Sequence, residues 1–184
     1  MPRLSVGTLV QPESFTSIKG ELIQLPDGRS EFTHVQFRRF AGCPVCNFHL
    51  HTMAKRQNEL ESQGIRQLVF FHSSAKEMLK YQAQLPFDCI ADPQMQHYKK
   101  WGVEQSWWAI AHLKVAISGM RGFLATGKLY KKAENGIRGL PADFLLDAEG
   151  RILSVHYGSH ADDQWSVEHL LALTQRLKAK QVAQ

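Results

Sequence analysis

Cysteine is scarce: 3 in 184 residues, an odd number that does not divide into a framework of structural bridges. In a reducing compartment such cysteines serve catalysis, metal binding or plain packing. Long apolar runs are missing too. The longest uncharged one, Gln105 to Leu113, is about half of the roughly 20 residues a membrane helix needs, so no membrane span is expected. Met1 to Phe15 has no basic region followed by an apolar core, so no signal peptide is expected and the expected location is cytoplasmic. Glycine (13) and proline (7) are too few for a collagen-like or low-complexity chain, and 43% hydrophobic residues are too many for a disordered one. What remains is enough apolar sequence for one compact domain over 1–184, carrying an insertion at about 103–140.

Charge is concentrated rather than spread. Lys and Arg number 22 against 17 Asp and Glu, yet Gln105 to Ala142 alone holds six basic residues and one acid, and the rest of the chain is balanced. That patch reads either as a solvated helix face with a Lys-rich loop or as a surface that docks an anion or a partner. No stripe of alternating basic and aromatic residues accompanies it, so nucleic acid is not an expected partner.

Ile18 to Leu25 reads as a strand closed by a turn at Pro26-Asp27-Gly28, and Thr33 to Phe40 as a second strand rich in β-branched and aromatic residues. Pro44 suits the first turn of a helix that runs, with Phe48, Met53 and Leu60 on one face, to Gly64. Ile65 to His72 has the apolar continuity of a strand covered on both faces. Ser73 or Ser74 caps a helix over Ala75 to Leu85. Phe87 to Ala91 is a short strand, and Asp92 caps a helix to Trp101 with Gly102 as its stop. Gln105 to Ile117 reads as a buried helix and Gly119 to Gly139 as a loop with the Lys131-Lys132 pair. Asp143 to Asp147 and Arg151 to Tyr157 flank a hairpin turn, and Ser166 to Lys178 is a closing amphipathic helix N-capped by Asp162 or Asp163. Strands alternating with helices predict an α/β fold, a three-layer α/β/α sandwich whose late hairpin makes the sheet mixed.

Two cysteines, Cys43 and Cys46, follow the second strand and open the helix. A helix N-terminus carries unsatisfied N–H groups and about half a positive charge, which stabilises a thiolate. The thiolate is the nucleophile, and a second thiol one turn away can close a disulfide with it. Adjacent strand residues point to opposite faces, so at most one of Arg38 and Arg39 can face the pair.

Phe37-Arg38-Arg39-Phe40 with Cys43-Pro44-Val45-Cys46-Asn47, then Phe87 to Pro93 through Tyr98 and Gly102-Val103, then Phe144 to Ile152, together resemble the peroxiredoxin-like branch of the AhpC/TSA antioxidant family, which has a thioredoxin fold. The resemblance covers roughly Gln11 to Leu173. It implies a thiol-based oxidoreductase that reduces hydroperoxides, takes electrons from a thiol reductant such as thioredoxin or glutathione and needs no cofactor, with a homodimer left open. The family's attacking cysteine ends a Pro-x-x-x-Thr-x-x-Cys motif. Carried over, Cys46 takes that position, Cys43 replaces the threonine and Arg39 the proline. Thioredoxin logic instead makes Cys43 the attacking thiol, in exchange with a disulfide substrate. The same comparison makes Pro141 a candidate cis-proline facing the cysteines, against an ordinary trans proline at a strand start.

The remaining candidates are Cys89, read as core rather than a resolving thiol, and His49 and His51, either of which with the cysteine pair would leave a zinc site one ligand short. His72 borders the site or serves structure. His156 and His160 lie beside Asp162 and Asp163, Trp107 and Trp108 read as insertion core or a subunit contact, and Arg138 could reach a thiolate or peroxide. The alternative to an enzyme is a thioredoxin-fold module whose cysteine pair binds zinc or is merely oxidised.

Overall fold

Residues 32–38, Phe-Thr-His-Val-Gln-Phe-Arg, are buried along their whole length, as expected for a strand covered on both faces. In the computed structural model, which describes residues 2–103, 134–137 and 139–182, this strand is the centre of the sheet. The elements in chain order are β1 (Glu13–Thr16), β2 (Leu22–Leu25), β3 (Phe32–Arg38), α1 (Pro44–Lys55), α2 (Gln57–Ser62), β4 (Ile65–Phe71), α3 (Ala75–Gln82), β5 (Asp88–Ala91), α4 (Gln96–Lys100), β6 (Ala142–Asp147), β7 (Ile152–Tyr157) and α5 (Val167–Val182). The five-stranded sheet has the order β5-β4-β3-β6-β7. β3, β4 and β5 run parallel, while β6 and β7 are antiparallel to their neighbours, with Val35 opposite Leu68 and Phe144. β1 and β2 form a separate antiparallel pair. The expected α/β sandwich with its late hairpin is what the chain adopts.

Alternation in β3 sorts the core into two layers. Val35 and Phe37 join Phe70, Tyr98, Trp101 and Phe144 under α4 and the β1–β2 pair. Phe32 joins Leu50, Met53, Val69, Phe71, Met78 and Leu170 under α1, α3 and α5. Among the described residues no helix is long and apolar enough to cross a membrane.

Several boundaries differ from the sequence reading. Of the strand expected over Ile18 to Leu25 only Leu22–Leu25 forms, because Ser17 Oγ accepts from the N–H groups of Lys19 and Glu21 and folds residues 17–21 into a turn; β1, before that turn, is not among the expected strands. The helix expected from Pro44 to Gly64 breaks at Arg56, and Gly64, at φ +76°, then turns the chain into β4. Ser74, not Ser73, caps α3 by accepting from Glu77 N–H. Asp92 does bind the first N–H groups of α4, those of Gln96 at 2.9 Å and His97 at 2.8 Å. The cap of α5 is Ser166, which accepts from His169 N–H at 3.1 Å. Asp163 is already engaged by Ser159 and by His156. The helix expected at Gln105 to Ile117, the lysine pair, Trp107, Trp108 and Arg138 lie outside the described residues.

Candidate functional site

The site grows from the end of β3. After Arg38 the chain leaves the sheet, and Cys43 Sγ accepts from Cys46 N–H at 3.4 Å as the N-cap of α1. Pro44 at the first helical position loses no hydrogen bond there. The first turn of α1 contains no acid, so its partial positive charge is left to the sulfur. The loop is pinned on both sides: Ala41 N–H donates to Ser73 Oγ at 3.0 Å, and Ala41 C=O accepts from Asn47 Nδ2 at 2.9 Å and Gln82 Nε2 at 2.8 Å.

Both thiols are fully buried and reduced, and their acidities are driven apart. Burial alone would raise Cys43. It is outweighed by the Cys46 thiol's hydrogen bond, the Arg39 guanidinium and the N–H groups of Cys46 and Val45, which bring Cys43 from 9.0 to about 7. Burial, together with the hydrogen bond to Cys43 and its charge, pushes Cys46 well above 9.0. Arg39 Nη1 lies 3.7 Å from Cys43 Sγ, and its Nη2 donates to Ile137 C=O. Of the two arginines, Arg39 is the one on the thiol side.

Arg38 turns into a buried polar ladder under α1. Its Nη2 donates to Asp143 Oδ1 at 2.6 Å and to Gln36 Oε1 at 2.6 Å, and it lies 3.3 Å from His49 Nε2. His34 bridges Asp143 Oδ1 (2.9 Å) and Gln67 Oε1 (2.8 Å), and Trp165 N–H donates to Asp143 Oδ2 at 3.2 Å. Burial would raise the Asp143 carboxyl, but Arg38 and His34 hold it well below the usual carboxylate range. Sequence reasoning missed His34, Gln36, Gln67 and Asp143. The available signal was polar residues at 34, 36 and 38, one face of a strand that is otherwise apolar.

His72, at the end of β4, is walled by Phe40 and Tyr98 and held neutral by burial and by Arg39, down to about 4. A Cβ on Gly139 would lie 2.8 Å from His72 Nε2, so only glycine fits this approach. Residues 134–137 are stitched across the same edge. Glu134 accepts from Ser74 N–H at 2.6 Å, and Asn135 Nδ2 donates to His72 C=O at 2.9 Å.

Pro141 lies at the entrance to β6, its carbonyl accepting from Gly158 N–H at 2.9 Å. The cis bond among the described residues is Leu25–Pro26, so Leu140–Pro141 is trans, contrary to the cis-proline expectation. Gly158 packs on the Pro141 ring, where an added Cβ would meet Cγ at 2.8 Å. Cys89 is core: burial pushes its thiol up to about 12. His49 belongs to Arg38 and His51 is exposed. Among the described residues no group of three or more His, Cys, Asp and Glu could hold a metal ion.

Residues 52–160 match the family described as AhpC/TSA antioxidant enzyme, a stretch that begins inside α1 after the cysteine pair. No curated protein matches the chain at the sequence level. The fold is similar to peroxidoxin BcpB from Mycobacterium tuberculosis, with TM-score 0.67 and 14% identity over 96% of this chain and 98% of that one. AhpC of Mycobacterium tuberculosis gives 0.69 and 16% over 97% and 96%. A putative thiol:disulfide interchange protein DsbE from Chlorobium tepidum gives 0.61 and 19% over 93% and 99%. At these identities the likeness speaks for the fold.

Proposed function

The chain belongs to the AhpC/TSA antioxidant enzyme family, and from that premise we propose that it is a thiol peroxidase in which Cys43 attacks and Cys46 resolves. The observation that carries this reading is geometric: Cys43, not Cys46, caps α1, and Arg39 Nη1 lies 3.7 Å from its sulfur. These contacts lower the Cys43 thiol, whereas burial and Cys43 itself raise Cys46, which keeps its proton and points it at Cys43. This ordering favours Cys43 over the position given by the family's motif alignment.

The Cys43 thiolate attacks the outer oxygen of a hydroperoxide, the O–O bond breaks, and the alkoxide takes a proton and leaves as alcohol. Cys43 is left as a sulfenic acid. The Cys46 sulfur then attacks that sulfur, forming the disulfide and releasing water. An external thiol reductant, such as a thioredoxin or glutathione, returns the disulfide to two thiols by exchange. Arg39, beside the sulfur, offers its guanidinium to the oxygen on which charge develops. Burial of both thiols suits a substrate of a few atoms better than a folded protein.

Peroxide treatment followed by peptide mapping tests this. Wild type should form the Cys43–Cys46 disulfide and leave Cys89 reduced. Cys46→Ser should yield a trappable sulfenic acid on Cys43, and Cys43→Ser should resist modification. Sulfenic acid on Cys46 in Cys43→Ser would reverse the roles. The second reading, dithiol–disulfide exchange led by Cys43, rests on the same acid thiol at a helix N-terminus. It predicts faster turnover with a disulfide such as insulin than with peroxide.

A further inference from the structure

Arg39 is a buried charge, 3% exposed, and a buried guanidinium needs acceptors for its N–H groups. Its described side-chain acceptors are two. Nη1 lies 3.7 Å from Cys43 Sγ, and Nη2 donates to the main-chain carbonyl of Ile137, 98 residues further along the chain. Neither is a carboxylate, in contrast to Arg38, which Asp143 holds. A neutral carbonyl can fix a guanidinium without cancelling its charge, so that charge is left to the sulfur.

The Ile137 carbonyl is placed by a short strap with no apolar anchor of its own. Glu134 is half-buried, and Asn135, Gly136 and Ile137 are exposed. Two polar side chains hold the strap. Glu134 accepts from Ser74 N–H at 2.6 Å and from the Ser74 hydroxyl at 3.0 Å. Asn135 Nδ2 donates to His72 C=O at 2.9 Å and to Pro93 C=O at 2.5 Å. Asn135 and Gly136 are both left-handed, at φ 59° and 80°, a conformation that asparagine and glycine adopt more readily than other residues. The strap is tied to the loop 72–74, and so is the stretch that carries Arg39. His72 N–H donates to Arg39 C=O at 3.3 Å, and Ser73 Oγ accepts from Ala41 N–H. One loop therefore fixes both the backbone of Arg39 and the acceptor of its side chain.

We propose that residues 134–137 are a positioning strap for the reaction: Glu134 and Asn135 fix the segment so that the Ile137 carbonyl holds the Arg39 guanidinium against the Cys43 sulfur. They act through Arg39 and are positioning residues, not catalytic ones. The inference deepens the proposed function and rests on Cys43 as its acid thiol. With the strap released, the guanidinium can turn to water, where the same charge at 3.7 Å is worth about a quarter of its value at a protein-like dielectric. The thiol then relaxes toward the ordinary value of a free cysteine, about 8.5.

The pH midpoint of Cys43 alkylation by iodoacetamide, in the full-length reduced protein, reads the strap both with Arg39 and in Arg39→Met. With Arg39 present, Glu134→Ala and Asn135→Gly should each raise the midpoint by about half a unit or more, without exceeding the rise in Arg39→Met. Asn135→Gly keeps the left-handed backbone and removes the side-chain bonds. Glu134→Gln, which keeps an acceptor for Ser74 N–H, should recover most of the rise. In Arg39→Met the strap variants should move the midpoint by no more than about 0.2 units, because the group they position is gone. If Arg39→Met raises the midpoint and both strap variants leave it in place, the proposal fails while the acid-thiol reading stands. Equal shifts with and without Arg39 would mean a general loosening of the site and would also overturn it. A midpoint that Arg39→Met itself does not move would remove the role of Arg39 in the proposed cycle, and this inference with it.

Discussion

Replacing Arg39 by methionine removes the charge nearest the Cys43 sulfur and keeps much of the side chain's bulk. The thiol's fall from 9.0 to about 7 corresponds to about 3 kcal/mol in favour of the thiolate, and it is the balance left after burial has opposed it. Two unit charges at the observed 3.7 Å attract by about 4–5 kcal/mol at an effective dielectric of about 20, and by about 1 kcal/mol in water. Arg39 also serves the Ile137 carbonyl, and Cys46 and two N–H groups remain on the sulfur, so Cys43 should rise by about one to two units. At pH 7 the thiolate fraction then drops from about one half to about a tenth or less. The assay is the pH dependence of iodoacetamide alkylation, with the modified peptide identified. The alkaline plateau should stay unchanged while the midpoint moves up, and Arg39→Lys should recover most of the shift. A midpoint that stays put in Arg39→Met, or one equally high in Arg39→Lys, would refute the assignment of Arg39 charge as a principal source of the acidity.

Three further outcomes are expected. His72 is held at about 4 against 6.5 when unfolded, so the unfolded chain takes up the proton first. Its contribution is complete above about 6.5 and is lost as the pH falls toward 4, up to about 3 kcal/mol; urea denaturation at about pH 7 and about pH 4 should show a smaller acid loss in His72→Phe. Arg38→Met leaves the buried Asp143 carboxylate without its main partner and should cost about 3–5 kcal/mol, whereas Arg38→Met with Asp143→Leu should regain much of it in the same denaturation assay. Gln82→Leu removes hydrogen bonds to Ala41 and Asn47 and should destabilise by about 1–3 kcal/mol while raising the alkylation midpoint of Cys43, because the loop that presents the cap loosens.

What could be read in the sequence was what local chemistry decides. β3, β4 and the β6–β7 hairpin are runs of β-branched and aromatic residues bounded by turn residues, and Pro44 after a strand marks the start of α1. The cysteine pair was legible for the same reason, since the four residues Cys43 to Cys46 at a helix start contain its geometry. Ile18 was misassigned because its apolar side chain extends the pattern of β2, while the turn that separates β1 from β2 depends on one Ser17 hydroxyl. Asp163 has the composition of a cap, but β7 supplies His156 to compete for it. The Arg38 ladder was illegible because its members meet across three strands, with Asp143 more than a hundred residues from His34. Arg39 was visible in the sequence, yet only the exit of the chain from β3 shows that it, and not Arg38, reaches the sulfur.

Arg39 also bears on the second chemical step. In the reduced pair, burial, the hydrogen bond to Cys43 and the charge on Cys43 all hold the proton on Cys46, and Arg39 pulls the other way. In the proposed cycle the first step consumes that charge, since a sulfenic acid is neutral near pH 7. The repulsion vanishes at that moment, and the hydrogen bond to a thiolate vanishes with it. Burial remains, and so does the Arg39 guanidinium, now opposed by one fewer group. Cys46 therefore becomes more acidic only after Cys43 has reacted, which keeps the resolving thiol protonated while it would compete for peroxide and releases it when a sulfenic sulfur is there to attack. The same arginine thus favours each thiolate in turn. Arg39→Met should slow disulfide closure as well as peroxide attack, and rapid-mixing measurements that resolve sulfenic acid from disulfide would see the sulfenic acid accumulate. If closure in Arg39→Met kept the wild-type rate while attack slowed, Arg39 would act on the first thiol alone.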